Sequence, residues 1–563
     1  MCPRNSETEL REAVDRILAS KSRRKLVVAG PGTGKTTLFK KLLDASAGDR
    51  DSRLVLTFIN NLKVDLERTL GMSARVLTLH GYCQSLLRRK PGLRAGLSEN
   101  FRCVPEMASL IKRDWEYLKE GPTPVFVQEM RSLNTSSALN FYFARANYYD
   151  AVDFDDSVFR TYLALDGNRD QVDALDLVLI DEFQDFNRME AAFIELVASR
   201  DSIVIAGDDD QALYSQLRGA SWDHIRALCK RGDYEVFPLP FCMRCPEVIV
   251  GAVNDVISRA RDLQKLNGRI DKPYRHYEPR KGEDSHRYPK VVLVETTVQR
   301  ANANYFGRYI EEAVRLISAE EIDEASKNHE PTVLVIGPQQ YRNPVSAHLI
   351  EAGLPVEIRP ELKSGIAREA GLEILAEDPV ANIGWRIVLE DEDRALAAKC
   401  VQMSAPKAIA LVRTIPESLR EKIIAEVKAW KNTADQREKA KQPADEAGGM
   451  RIKLTSFEGA KGLSAQHVFI LGLHAGDLPK DSTNITDIEV CRFLVGLTRT
   501  KKQCLLLYTR RFAGQVKTKS PFLDWIRKER YAPISVDVAY WKDARHQRDR
   551  HLGKTGAVLS SVA

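Results

Sequence analysis

Long apolar runs are what this sequence most clearly lacks. No segment approaches the roughly 18 uninterrupted apolar residues that a membrane-spanning helix requires, and the opening stretch MCPRNSETELREAVDRIL contains no apolar core of a signal peptide. A strong charge of one sign is also lacking, because 84 basic and 78 acidic residues leave a net charge of +6. We therefore expect a cytoplasmic protein without a membrane partner, in which any nucleic-acid surface is a local basic patch.

Cysteine is scarce as well, with nine residues scattered over 563. An odd, dispersed set in an intracellular type of chain predicts reduced thiols and excludes a disulfide framework. Cys242 and Cys245 form one CxxC pair. A zinc or iron–sulfur site needs further ligands at matching spacing, and none stands nearby. We expect packing cysteines here and no metal.

Short apolar runs recur along the chain and alternate with stretches of helical pattern. The runs are LVVAG, RLVLTF, LVLID, SIVIAGD, TVLVIG and HVFILG. This alternation predicts an α/β fold with parallel sheets, and 563 residues exceed the size at which one hydrophobic core stops growing. Between Tyr82 and Asp176 the pattern turns helical, which indicates an insertion into the first sheet, and a second insertion is expected over 376–450.

The turn AGPGTGKT follows a predicted strand and precedes a predicted helix, which is the context of a phosphate-binding loop. Small residues let backbone N–H groups point at phosphates, and the helix N-terminus adds its positive end. Lys35 is predicted to neutralise the β- and γ-phosphates, and the Thr36 hydroxyl to bind Mg²⁺. A GTPase would need an NKxD-like segment, and none is found, so ATP is the expected nucleotide. The predicted loop is Ala29, Gly30, Pro31, Gly32, Thr33, Gly34, Lys35 and Thr36.

The run LVLIDEFQD, residues 177–185, delivers two adjacent carboxylates to the carboxyl end of a predicted strand. Ligands of α/β sheets gather at that edge. Asp181 is predicted to hold Mg²⁺, and Glu182 to accept a proton from the attacking water. A solvent-facing acidic pair is the alternative, and the phosphate loop earlier in the chain disfavours it.

The segment DEFQD resembles the second motif of the UvrD/Rep-like superfamily 1 helicases, and further segments follow in the order of that family. LTFINNL resembles TFTNKAA, TLHGY resembles TxHxF, and VDFDD (152–156) resembles a landmark shortly before DExQD. GDDDQALYSQLRGA (207–220) resembles GDxxQxIYxFRGA, CMRCPEVI (242–249) the NYRS segment, GAKGL (459–463) AKGL, and VGLTRTKK (495–502) VALTRAKK. The resemblance covers about 1–85, 150–260 and 450–510.

The resemblance implies roles for residues that composition alone does not single out. Gln211 would sense the γ-phosphate and couple it to the DNA site, and Arg244 and Arg499 would act as arginine fingers from the second domain. Together with Lys35, Asp181 and Glu182 they complete the predicted catalytic set. The positions that line the family's single-stranded DNA track are Phe58, Asn60, Thr78, His80, Tyr214 and Arg218. For Phe58 and His80, core packing is an open alternative.

The resemblance also implies two RecA-like P-loop domains, each interrupted by a mainly helical insertion. The expected boundaries are 1–84 and 173–249 for the first domain, 85–172 for its insertion, 250–375 and 451–528 for the second domain, 376–450 for a smaller insertion, and 529–563 for a basic C-terminal tail.

Several positions depart from the family pattern. LREAVDRIL supplies no glutamine for the adenine-reading motif before the phosphate loop. Leu217 replaces the aromatic residue next to RGA, Glu458 stands where histidine is usual, and Ser464 stands where glutamate follows AKGL. These departures affect the ribose and DNA contacts, so translocation is better supported than robust unwinding.

Three functions remain open from the sequence. The leading one is an ATP-dependent 3′-5′ DNA helicase or translocase that uses ATP and Mg²⁺ on single-stranded or tailed duplex DNA. The second is a DNA-responsive ATPase subunit of a nuclease or phage-defence assembly that does not unwind processively, with a protein partner such as a nuclease. A catalytically inactive binding module is disfavoured because Lys35, Asp181, Glu182 and Arg499 are all present.

Overall fold

The computed structural model describes residues 6–119, 121–198, 202–214, 218–300, 303–357, 366–433 and 449–542. The described chain contains two large sheets, and every strand pairing within each of them is parallel. This confirms the predicted α/β class with parallel sheets. None of the described helices combines the length and apolarity that crossing a membrane requires.

The first sheet has six strands in the order β3-β2-β4-β5-β1-β6. They are β1 (Arg24–Ala29), β2 (Arg53–Thr57), β3 (Arg75–Thr78), β4 (Leu177–Ile180), β5 (Ser202–Gly207) and β6 (Glu235–Leu239). The β1 residues explain why a continuous apolar run forms a strand here, since Leu26 and Val28 enter one core and Val27 and Ala29 the core on the opposite face. The helices of the first sheet's domain, apart from those between β3 and β4, are Ser6–Ala19, Lys35–Ala45, Asn60–Leu70, Arg188–Val197 and Trp222–Arg231.

A mainly helical segment separates β3 from β4, and its apolar residues join the core on one face of the first sheet. Its helices are Leu79–Arg89, Met107–Leu118, Phe126–Arg131, Ser137–Tyr149 and Phe154–Gly167. A short parallel pair, Arg102–Cys103 with Ala151–Val152, ties the segment together.

The second sheet has seven strands in the order β9-β10-β8-β11-β12-β7-β13. They are β7 (Val291–Thr296), β8 (Val333–Ile336), β9 (Val356–Glu357), β10 (Ile452–Thr455), β11 (Ala465–Ile470), β12 (Thr500–Thr509) and β13 (Tyr531–Val536). Its helices are Glu247–Asp262, Glu278–Arg287, Tyr305–Arg315, Ala319–Lys327, Gln339–Glu351, Asp487–Leu497 and Phe522–Trp525. Short strands at Phe241–Cys242 and Arg275–His276 pair beside it, and Gln299–Arg300, Ala303–Asn304, Arg511–Phe512 and Gln515–Val516 form a small separate sheet.

The end of the second sheet corrects one predicted boundary. A tail was expected from residue 529, but Tyr531–Val536 forms strand β13 and pairs with β7. The segment contains Pro533, and proline is disfavoured inside a sheet because it has no N–H to donate. An edge strand tolerates it, and β13 lies at the edge of the sheet with Pro533 exposed.

A second helical segment lies between β9 and β10. Its helices are Arg368–Glu377, Asn382–Glu392, Arg394–Ser404 and Glu417–Asn432. The segment therefore starts before the predicted residue 376, because Leu372 and Leu375 of the first helix belong to its core.

The two helical segments contact each other through buried charges. Asp114 has no exposed side-chain surface and accepts hydrogen bonds from Arg145 Nε at 2.8 Å and from Arg386 Nε at 2.9 Å. Tyr149 donates to the same carboxylate, and Arg386 also pairs with Glu390 at 2.6 Å. Since Arg386 belongs to the second segment and Asp114 to the first, one buried carboxylate links them.

Replacing Asp114 by asparagine keeps the shape and removes the charge that faces two buried guanidinium groups. We expect Asp114→Asn to lower the free energy of unfolding by about 3–5 kcal/mol, because it leaves the buried Arg145 without its counter-ion and Arg386 with Glu390 alone. Urea denaturation followed by circular dichroism measures this. Asp166→Asn is the matched control, since its pair with Arg169 is exposed and should contribute less than about 1 kcal/mol. Equal effects of the two substitutions would contradict the linking role of Asp114.

Candidate functional site

The predicted phosphate loop leaves β1 at Ala29 and reaches the helix that begins at Lys35. Gly32 and Gly34 have φ angles of 73° and 89°, which a side chain disfavours. The Thr33 hydroxyl donates to Gly30 O at 2.9 Å and holds the turn. The loop therefore has the strand, turn and helix order of a phosphate-binding site.

The loop is packed against the segment that connects the two sheets. A Cβ atom on Gly32 would lie 2.5 Å from Arg244 Cβ, and one on Gly34 would lie 2.3 Å from Met243 Cε. Met243 N donates to Gly32 O at 2.8 Å. The Tyr274 ring covers Gly30, and its hydroxyl donates to Pro31 O at 3.1 Å. Gly32 is thus required for space as well as for backbone conformation, whereas at Gly34, where the neighbour is the flexible end of Met243, the backbone conformation favours glycine.

The two adjacent carboxylates lie opposite the loop. Lys35 Nζ is 2.8 Å from Glu182 Oε1. Burial favours neutral Lys35, but the charges of Glu182 and Asp181 outweigh it and raise the pKa of Lys35. Burial also opposes the charge on Glu182, yet Lys35 and Lys461 lower the pKa of that carboxyl. Lys35 and Glu182 therefore form an ionised pair.

Asp181 fits a divalent cation better than it fits its protein neighbours. Its Oδ1 is buried and accepts no hydrogen bond from the described residues. Burial, together with the charge of Glu182, raises the pKa of Asp181 to about 6. A carboxylate oxygen left without a donor is what an oxygen-preferring cation such as Mg²⁺ requires, and the Thr36 side chain borders the same cavity.

The segment 207–220, which contains Gln211, is joined to the segment 177–185 by a chain of hydrogen bonds. Gln184 donates to Glu182 Oε2 at 2.7 Å and accepts from Asp208 N at 2.9 Å. Gln211 donates to Asp208 Oδ2 at 2.8 Å and accepts from Arg499 at 2.9 Å. Gln211 is thus placed between the carboxylates of the first sheet and an arginine of the second.

Two arginines reach this place. Arg499 follows the helix Asp487–Leu497 and is 2 % exposed. Burial and the nearby charge of Arg244 lower the pKa of Arg499 to about 10. Arg244 lies in the segment between the sheets and donates to Thr498 O at 3.3 Å. The predicted pair therefore lies close together, with the Arg244 segment held on Thr498.

One cavity collects these residues from both sheets. It has a volume of about 690 Å³. Of the predicted loop, residues 31–36 line it, whereas Ala29 and Gly30 lie behind it. The other predicted residues that line it are Asp181, Glu182, Gln211, Arg244 and Arg499. Residues from distant parts of the sequence thus form one anion-attracting cleft.

Comparison with known proteins agrees with this arrangement. Residues 11–216 match a protein-family model described as an AAA domain. The chain is 26% identical over 280 residues to the ATP-dependent DNA helicase PcrA of Staphylococcus aureus, covering 41% of this chain and 37% of that protein. It is 28% identical over 245 residues to a probable DNA helicase II homolog of Mycoplasma capricolum, covering 35% and 34%. It is 25% identical over 287 residues to the ATP-dependent DNA helicase UvrD1 of Mycobacterium bovis, covering 42% and 37%.

The chain is related to the UvrD/Rep-like superfamily 1 helicases. The alignments span little more than a third of the length of these relatives. The helicase names of these relatives agree with the resemblance found in the motifs.

Two departures from the UvrD/Rep-like pattern have local partners. Glu458 pairs with Arg492 Nε at 2.7 Å, and its backbone carbonyl accepts from the Tyr214 hydroxyl at 3.0 Å. The Ser464 hydroxyl donates to Glu330 Oε1 at 2.8 Å. A third departure, Leu217, lies outside the described residues.

Four of the predicted DNA-track residues form one cluster beside the cleft. The Arg218 guanidinium lies over the Phe58 ring at 4.4 Å, and Tyr214 packs on the same ring at 5.4 Å. Arg218 is also 3.2 Å from His80 Nε2. Phe58 is 6 % exposed, and so is His80. The cluster is therefore assembled, but the face of Phe58 is covered by protein.

The other two predicted track residues stand apart from this cluster. Thr78 caps the helix Leu79–Arg89 by accepting from Gly81 N at 3.1 Å. Asn60 is exposed at the start of its helix.

Sequence reasoning missed two residues of this region. Lys461 has a side chain that is 1 % exposed, lies 2.6 Å from Asp185 Oδ2 and donates to the Gln211 carbonyl oxygen. Phe154 is 40 % exposed, with its ring 5.2 Å from His80. Both lie in the quoted segments GAKGL and VDFDD, so the signal was present but carried no assigned role.

The packing of the phosphate loop predicts the effect of one added methyl group. We expect Gly32→Ala to abolish ATP binding, because its Cβ would collide with Arg244 Cβ in addition to the backbone strain. Gly353→Ala is the matched control, since φ is 72° there and nothing lies within 4 Å of the added atom. It should cost only about 1–2 kcal/mol of stability. Fluorescent nucleotide titration measures the nucleotide affinity of both variants. Unchanged affinity in Gly32→Ala would disprove the assignment of the loop.

Proposed function

We propose that this protein is an ATP-dependent 3′-5′ translocase and helicase that moves on single-stranded DNA. The two sheets act as two RecA-like domains, and the cleft between them binds ATP. The helicase names of its relatives support DNA as the substrate. The polarity follows from the resemblance of the motifs.

The observation that carries the proposal is the set of contacts across the cleft. Arg499 and Lys461 come from the second sheet's part of the chain, and both contact Gln211, which follows β5 of the first. Nucleotide held by the phosphate loop therefore meets groups from both sheets. A change in phosphate occupancy then alters the separation of the sheets, which is what a strand-moving motor needs.

Hydrolysis uses the pairs already present. Phosphate oxygens of ATP draw the Lys35 ammonium away from Glu182, which leaves that carboxylate as proton acceptor for the attacking water. Water oxygen bonds to the γ-phosphorus as the bond to the β-phosphate oxygen breaks. Arg499 and Arg244 stabilise the charge that spreads over the transferred phosphoryl oxygens, a contribution of about 10³ to 10⁵ in rate.

Mg²⁺ fits the residues at this edge of the first sheet. Asp181 and Thr36 would hold it, and it would supply charge neutralisation for the phosphates. The Asp181 carboxylate has an oxygen without a donor, as this role requires.

The aromatic cluster of Phe58, His80 and Tyr214 is the part of the proposed DNA track that lies next to the cleft. Tyr214 is three residues from Gln211 and donates to Glu458 of the second part of the chain. Bases stack on such aromatic faces. Displacement of Arg218 from Phe58 by a DNA strand would expose the ring, and Phe154 already offers an exposed one.

A second function is favoured by the same cluster. The covered Phe58 ring and the Glu458–Arg492 pair weaken the track, which suits a DNA-responsive ATPase subunit that works with a protein partner such as a nuclease. Such a subunit binds DNA ends without processive unwinding.

Strand displacement tests the choice between the two functions. We expect DNA-stimulated ATP hydrolysis and displacement of duplexes with 3′ tails but not 5′ tails. The Lys35→Ala variant is the control for both activities. ATP hydrolysis without displacement would favour the subunit, and no hydrolysis with DNA present would reject both functions.

Arg499 provides a sharper test of the cleft. We expect Arg499→Ala to slow hydrolysis by about 10³-fold or more, while nucleotide affinity changes little, because the contact matters most in the transition state. Arg499→Lys should rescue poorly, since an ammonium cannot reproduce the planar fork. Single-turnover hydrolysis beside equilibrium nucleotide binding, both with saturating single-stranded DNA, decides it. Normal hydrolysis with lost DNA binding would place Arg499 in the track.

A further inference from the structure

The CxxC pair lies on both sides of Arg244. Cys242 ends the short strand Phe241–Cys242, and Cys245 precedes Pro246 at the start of a helix. Cys245 N donates to Cys242 Sγ at 3.4 Å, so the chain folds back and brings the two thiols together. Within the described chain, no further cysteine, histidine or carboxylate joins them in a group that could hold a metal ion. The pair is therefore a dithiol.

One thiol packs against the phosphate loop. Cys242 Sγ lies 3.2 Å from the position that a Cβ atom on Gly32 would take. Arg244 Cβ and Met243 N contact the same glycine. The conformation of the three residues 242–244 is therefore part of the loop's surroundings.

The other thiol contacts the residue that precedes Arg499 of the second sheet. Cys245 Sγ donates to Thr498 O at 3.7 Å, and Arg244 donates to the same carbonyl at 3.3 Å. Thr498 directly precedes Arg499. Both arginines of the cleft are thus linked to the dithiol. Arg244 lies between the two cysteines in sequence, and Arg499 follows Thr498, whose carbonyl oxygen accepts from Cys245.

The two thiols differ in their readiness to react. Burial opposes ionisation of Cys242, but when the Cys245 S–H and the Tyr274 O–H turn from their carbonyl partners to this sulfur, they and the backbone N–H groups of Cys245 and Arg244 lower its pKa to about 6. Burial and the neighbouring Cys242 raise the pKa of Cys245 well above its usual value. A nucleophilic thiolate beside a second thiol is the arrangement that forms a disulfide on oxidation. Met243 and Arg244 line the cleft, so the thiols lie one layer of side chains behind it.

We propose that Cys242 and Cys245 form a modification site that reacts with hydrogen peroxide and thereby switches ATP turnover off. The effect on turnover rests on the proposed function of the nucleotide site. The Cys242 thiolate attacks one peroxide oxygen, the O–O bond breaks, and the departing hydroxide takes up the proton that Cys242 released on ionising, so that a sulfenic acid and water result. The Cys245 sulfur then attacks the Cys242 sulfur, the S–O bond breaks, and the hydroxyl leaves with the Cys245 thiol proton as a second water. Dithiol and peroxide are thereby converted to a disulfide and two waters.

The disulfide removes contacts that the reduced site uses. Cys245 loses the hydrogen that it donates to Thr498 O, and the new ring encloses Met243 and Arg244. Arg244 can no longer keep both its contact with Thr498 and its place against Gly32. Turnover falls because the guanidinium is displaced, while the rest of the phosphate loop still binds nucleotide.

The test is peroxide treatment of the full chain, followed by peptide mass spectrometry and ATPase assay with single-stranded DNA. We expect the Cys242–Cys245 peptide to lose two hydrogens, turnover to fall by about tenfold or more, and a thiol reductant to restore both. In the C242S/C245S variant the ratio of treated to untreated turnover should remain one, whatever its basal rate. The C103S/C229S variant, which lacks two more accessible thiols, should respond like the original chain.

Each other outcome overturns the proposal. No disulfide at this peptide, a disulfide without loss of turnover, or a response that persists in C242S/C245S would each do so. Failure of the proposed function is distinguishable, because a reduced protein without ATPase activity rejects the nucleotide site while the mass spectrum still reports the dithiol chemistry.

Discussion

The rest of the site depends on the contacts of the buried Lys461 ammonium group. It lies between the Asp185 carboxylate and the Gln211 carbonyl, both on the first sheet's side, although 276 and 250 residues separate them from it in sequence. A buried charge of this kind is costly unless its partners are in place. The two sheets therefore have a preferred approach, and the cleft owes its shape to it.

A second buried cation, Lys272, keeps the segment that contains Gln211 in position. The Lys272 ammonium lies within 3.0 Å of Asp208, Asp209 and Asp210. Burial opposes its charge, but the three carboxylates raise the pKa of Lys272. An acidic group that resembles a metal site is thus neutralised by the protein itself. Gln211 follows these aspartates directly, so its side chain starts from a fixed backbone.

The parts of the fold and site that could be predicted are those with local signals. An apolar run followed by glycines or carboxylates marks a strand end, and Lys35, Asp181 and Glu182 were found in that way. Lys461 lies in the quoted segment GAKGL, but its role could not be assigned, because it depends on a contact with Asp185, 276 residues away in sequence. Phe58 shows the same limit, since the sequence could not tell a stacking platform from a ring covered by Arg218. The roles of the predicted site residues stay predictions.

The Asp114–Arg386 contact has a mechanical consequence. The helical segment that carries Asp114 is inserted in the first sheet, and the one that carries Arg386 is inserted in the second. The two halves of the molecule therefore contact each other at the cleft and also through this carboxylate and its neighbours, such as the Tyr148 hydroxyl, which donates to Ile409 O. Two halves that are joined at separate sites cannot open by rotation about a single hinge at the cleft. Any large separation at the cleft requires either rotation about Asp114 or the breaking of a buried ion pair, so these contacts favour small relative displacements of the two halves.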